Sequence, residues 1–80
     1  MKPSIASQWS SYRAAVVPAG AGPTQVKECR RAFYAGAQAI LTLQMQISSA
    51  DVPDHVGARF IEALHQECRD FAQQIQAGQA

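Results

Sequence analysis

Eighty residues with a formal net charge of +1 are enough for one domain and no more. Apolar residues reach 48% and charged residues only 16%, so no strong field steers the chain to nucleic acid or to an anionic membrane surface. A chain of this size buries only about 60% of its unfolded surface, a thin margin unless copies assemble.

The opening stretch, MKPSIASQWS, holds no apolar run long enough for a signal peptide. A cytoplasmic location is therefore expected, with Cys29 and Cys68 both reduced. The most apolar window, Ala32 to Ile47, contains Gln38, Gln44 and Gln46. It is too short and too polar to span a bilayer, so no membrane contact is expected.

Three helices are expected, at about residues 4–17, 23–48 and 52–77, in a single domain spanning 1–80. In the first, Ser4 can act as cap, and Ile5, Trp9, Tyr12 and Val16 recur at helical spacing. The run VPAGAGP, Val17 to Pro23, places two prolines and two glycines where no helix can continue. Gly22 then sits at the next N-cap with Pro23 at the first helical position. Val26, Cys29, Phe33, Gly36, Ile40, Leu43 and Ile47 alternate spacings of three and four, a heptad-like seam for antiparallel packing. A mid-helix glycine costs about 1 kcal/mol against alanine, so Gly36 is expected where a neighbouring helix approaches closely. In the third helix Asp51 is the expected N-cap, with Pro53 in the first turn. Its seam is Gly57, Ile61, Leu64, Cys68, Phe71 and Ile75, flanked by Val56 and Phe60, and Gly78 ends it.

The fold class that follows is all-α: a short N-terminal helix plus a long antiparallel two-helix hairpin, together a three-helix bundle. The apolar arc of the second helix spans roughly 200°, against the ~100° one neighbour needs. Its spare flank runs through Tyr34, Ala37, Leu41 and Met45. Either the first helix covers that flank, or a second protomer or a partner does, which would make a homo-oligomer through Tyr34, Leu41 and Met45. Gln44 lies near the middle of the arc, where an unpaired buried amide would cost about 1–3 kcal/mol.

Both cysteines sit in the tripeptide Glu-Cys-Arg, at residues 28–30 and 67–69. Hairpin geometry brings them to nearly matched depth, about 4.5 Å apart along the axis. They read as small core residues; a disulfide needs a strict Cα separation. A metal site would draw on His65, Cys68 and Cys29, but a fourth ligand is missing and the spacing fits no zinc motif. The flanking charges have two readings. In one, Glu28 pairs with Arg69 across the helices, each such pair contributing under about 1 kcal/mol. In the other, Arg30, Arg31 and Arg69, with Lys27, Tyr34 and the Tyr12-Arg13 pair, form an anion-binding patch, since a guanidinium fork suits phosphate or carboxylate and a ring can stack on a base.

Enzyme signatures are missing: no Gly-rich phosphate loop, no Ser/His/Asp arrangement, no paired carboxylates in an apolar pocket. His55 and His65 read as surface or satisfied residues. No catalytic residue, cofactor or metal is expected, and with seven basic residues set against six acidic ones no direct DNA binding is expected either.

The stretch RRAFYAGAQAIL (Arg30 to Leu41), preceded by WSSYRAAVVPAGAGPTQVKE and followed by ECRDF, resembles a group of small proteins of tailed phages and prophages. The resemblance runs from Trp9 to about Phe71. It implies a phage accessory protein in a bacterial cytoplasm, acting by stoichiometric binding. Three roles follow by analogy: blocking a host protein, as anti-CRISPR-like inhibitors of host defence do; a homo-oligomer that sequesters a nucleotide or another anionic ligand; or a virion or assembly component. The residues expected to contact partner or ligand are Tyr12, Arg13, Lys27, Arg30, Arg31, Tyr34 and Arg69.

Overall fold

A computed structural model of the chain describes residues 2–49 and 51–80. The fold is all-α, with helices α1 (Ile5–Val16), α2 (Pro23–Ile47) and α3 (Asp54–Gln76), and no strand among the described residues. The chain falls into two compact units, Met1–Thr42 and Leu43–Ala80, divided within α2.

The first unit is built by caps and one aromatic cluster. Ser4 caps α1 through a reciprocal box: its Oγ accepts from the Ser7 backbone N–H at 3.0 Å, and the Ser7 Oγ accepts from the Ser4 N–H at 3.2 Å. Two of the four orphan donors of the first turn are thus satisfied. Arg13 lies in the last turn, where a cation favours the helix dipole. The chain leaves α1 at Val17, closes a turn from the Ala21 N–H to the Pro18 carbonyl, and begins α2 with the Val26 N–H donating to the Gly22 carbonyl. That turn sends α1 back along α2. Ile5 shares a shallow groove with Phe33 and Ala37, while Val17 shares one with Val26. Between these ends Trp9 meets Phe33 with ring centroids 5.6 Å apart, and Tyr12 meets the same ring at 5.4 Å. Trp9 is the one buried side chain among the described residues.

The second unit joins the end of α2 to α3. The expected start at residue 52 and the Asp51 cap are both corrected: α3 begins at Asp54, with Pro53 at the N-cap and no side-chain cap. The reason is steric. A residue before proline is pushed out of the helical region, so Val52 cannot be helical. It instead donates to the Ser49 carbonyl in a turn. Pro53 then offers its carbonyl to the N–H groups of Val56 and Gly57. At the other end Gly78 has φ 75°, and the Gly78 and Gln79 N–H groups return to the carbonyls of Ile75 and Gln74. This is a Schellman stop, which needs the left-handed residue that glycine supplies.

One further expectation is corrected. The close helix approach is not at Gly36, where an added Cβ would meet nothing within 4 Å. It is at Gly57, where a Cβ would lie 3.3 Å from Ile47 Cγ2. Gln44 is exposed and so needs no buried partner. Along the α2 flank left for the first helix or for another chain, Tyr34 and Ala37 are half-buried, whereas Leu41 is 44% and Met45 78% exposed.

Two outcomes test this packing. Gly36→Ala should raise stability by about 1 kcal/mol in urea unfolding, since helix propensity improves and nothing is displaced. Gly57→Ala should give none of that gain, because Ile47 must yield. Trp9→Ala should cost about 3 kcal/mol or more, in the range of large aromatic truncations, and should remove most of the cooperativity of the first unit's melt.

Candidate functional site

The candidate site lies on the first two thirds of α2. Lys27, Arg30, Arg31 and Tyr34 occur at i, i+3, i+4 and i+7, the spacing that puts side chains on one helix face. No acidic residue lies in the first turn of α2. Positive side chains therefore follow a helix end that is itself partly positive, an arrangement that favours an anion and disfavours more cations.

Two of these side chains are ordered by neighbours on the same helix. The Arg30 guanidinium lies over the Tyr34 ring, 5.5 Å from its centroid, within the range of a cation–π contact. The Tyr34 ring in turn meets Phe33 edge-on at 6.4 Å. Arg31 donates from Nη1 to Glu28 Oε1 at 3.4 Å, with both side chains about two-thirds exposed. Water screens such a pair, so it adds only a few tenths of a kcal/mol and leaves most of the Arg31 fork free. Lys27 is exposed.

From α1, Tyr12 stacks against Phe33 and lies 6.1 Å from Trp9, ring centre to ring centre. Arg13 borders the shallow groove formed by Trp9, Val17 and Val26. Of the expected site residues, Tyr12 and Tyr34 thus converge on one ring, and Arg30 is tied to that cluster through Tyr34. Phe33 is the site residue that spacing alone does not single out. Its place in the heptad-like seam does not reveal that it is the ring on which Trp9, Tyr12 and Tyr34 meet. The three-residue spacing of Trp9 and Tyr12, which puts two rings on one face of α1, is the signal for it in the sequence.

Arg69 belongs to the second unit. Its Nε and Nη2 donate to Gln66 Oε1 at 3.3 and 2.8 Å, and Gln66 Nε2 donates to Asp70 Oδ1 at 2.8 Å. Each partner of the expected cross-helix pair is engaged three residues away on its own helix, where contact costs the least loop entropy. Both cysteines are free thiols. Cys29 is half-buried and Cys68 exposed, so Cys68 does not take the core position expected of it. Among the described residues no three His, Cys, Asp or Glu side chains are grouped to hold a metal ion, and no helix is long and apolar enough to cross a membrane. Comparison with protein families, curated proteins and solved structures finds no match.

The Arg30–Tyr34 contact has a spectroscopic signature. The Arg30 Hδ protons should resonate upfield of ordinary arginine values because they lie over the ring. Tyr34→Leu should return them, with a loss of about 0.5 kcal/mol in stability, the size of an exposed cation–π contact.

Proposed function

We propose that this chain is a non-enzymatic, phage-type binding protein that blocks a bacterial host protein by stoichiometric surface contact, a defence component being the target the resemblance favours. The observation that carries the reading is the α2 face, where Arg30 is held over Tyr34 beside Lys27 and Arg31. Arginine and tyrosine dominate interface energies, and ordering them in advance lowers the entropy lost on binding. The surrounding surface is rich in alanine and glutamine and poor in charge, so a partner can approach without desolvating many ions. A partner with an acidic or carboxylate-bearing surface suits this face.

Tagged protein passed through bacterial host lysate should retain one protein at equal stoichiometry. Arg30→Ala with Tyr34→Ala should weaken that retention at least tenfold while circular dichroism remains that of the parent. Retention of nothing at micromolar concentration counts against the reading.

The second reading is a homo-oligomer that holds a nucleotide or other anion on the same face. Three cationic side chains and one ring within two turns of α2 favour it, since the guanidinium groups suit phosphate and the ring suits a base. A thermal shift with a nucleotide, lost in Arg30→Ala, would select this reading over the first.

A further inference from the structure

The net charge of +1 conceals a division between the two units. Five of the seven basic residues, Lys2, Arg13, Lys27, Arg30 and Arg31, lie in Met1–Thr42, where Glu28 is the one acid. Leu43–Ala80 reverses the balance, with Arg59 and Arg69 set against five carboxylates. The first unit thus carries +4 and the second −3, which together give the +1 of the whole chain. Charge of opposite sign on the two parts of a chain points to a polyanionic partner for the basic part. A count over the whole chain hides it.

Within the first unit the charge gathers on α2. Lys27, Arg30 and Arg31 fall within roughly 6 Å of helix rise. They follow a helix start whose first turn holds no acidic residue, so the partial positive charge of that end adds to theirs. Glu28 answers Arg31 alone, at 3.4 Å. Arg30 lies over a ring, that of Tyr34.

We propose that the first unit binds single-stranded nucleic acid. Lys27, Arg30 and Arg31 take the phosphodiester backbone, and the Arg30–Tyr34 pair is the platform on which one base stacks. Two observations select this partner over an acidic protein or a duplex. The first is the charge. A strand carries one negative charge per nucleotide, and each cation that neutralises one releases a counterion. A unit with five cations and one acid suits that repeating charge.

The second is the ring among the cations. A carboxylate surface would use Lys27 and Arg31 and leave Tyr34 idle. Unpaired bases stack on aromatic rings and on guanidinium planes alike, and α2 holds one of each in contact. A duplex keeps its base faces inside its own stack, so it has no use for the ring. The second unit, at −3, repels the same strand and confines it to the first. The proposal goes beyond both readings above, since neither involves a strand, and it rests on neither.

Fluorescence anisotropy of the full chain tests this with a labelled single strand of about 12 nucleotides, in RNA and DNA versions. Saturable binding of either version is expected. Three phosphate contacts give a slope of log K against log salt of about −2, so raising salt from about 50 to about 200 mM should weaken binding roughly 20-fold. Lys27→Ala should reduce the slope to about −1.4. Tyr34→Leu should weaken binding roughly tenfold at an unchanged slope, the loss of one stacked base. Glu28→Gln should tighten it roughly twofold or more, because it removes the one acid that competes for Arg31. Arg59→Ala, in the second unit, should stay within about twofold of the parent. Each variant should keep the parent's circular dichroism. No saturable binding below about 100 µM protein at the lower salt overturns the proposal. So does equal affinity for inorganic polyphosphate, which has the charge without the bases, or tighter binding of a duplex than of the strand. A chain that ignores the strand and binds poly-glutamate overturns it in favour of an acidic protein surface.

Discussion

The contact between Trp9 and Phe33 is the interaction on which the first unit depends. It buries Trp9, the one buried side chain among the described residues. An indole and a phenyl ring together offer several hundred Å² of apolar surface. In a chain so sparing of burial, this is the main hydrophobic contribution that holds α1 against α2. The turn from Val17 to Gly22 has a fixed job in this arrangement. It must return the chain at the angle that brings a ring four residues into α1 onto a ring ten residues into α2.

The same cluster positions the candidate site. Tyr34 rests its edge on Phe33, and Arg30 rests on Tyr34. The guanidinium is therefore connected to the buried indole through two rings. A surface arginine normally samples many rotamers and loses about 2 kcal/mol of side-chain entropy when fixed. Here part of that loss has been met in folding, by contacts that exist before any partner arrives. Arg31 shows the contrast. Its only partner is an exposed glutamate on the same helix, and it keeps most of its freedom.

The helices were legible in the sequence because their signals are local. Ser4, Pro23, Pro53 and Gly78 mark ends by backbone chemistry that needs no tertiary context. The exception, the start of α3, was a local rule applied incompletely: Asp51 looked like a cap, but the bar that Pro53 places on Val52 outweighs it. What the sequence could not decide was which seam residue meets which neighbour. Gly36 and Gly57 look alike in a pattern of spacings. Only the packing of Ile47 distinguishes them. Phe33 likewise fits either of two partners by period, and its contact with the α1 rings is visible only in their geometry. The basic face of α2 was legible as a set of residue types, whereas the tie between Arg30 and Tyr34 required coordinates. Arg69 finds its hydrogen-bond partner, Gln66, one turn away on its own helix, which a cross-helix reading of the charges does not anticipate.

The uneven cover along α3 also shapes how long the molecule lasts. Backbone amides in a helix with one packed face exchange and open far less often than those in a helix with none. Opening should therefore begin at the Schellman end and run back toward Ile61, stopping where Ile47 seals Gly57. Proteases act on opened backbone in proportion to its population. Trimming should therefore start at the C-terminal side and slow at the turn that Gly57 and Ile47 close.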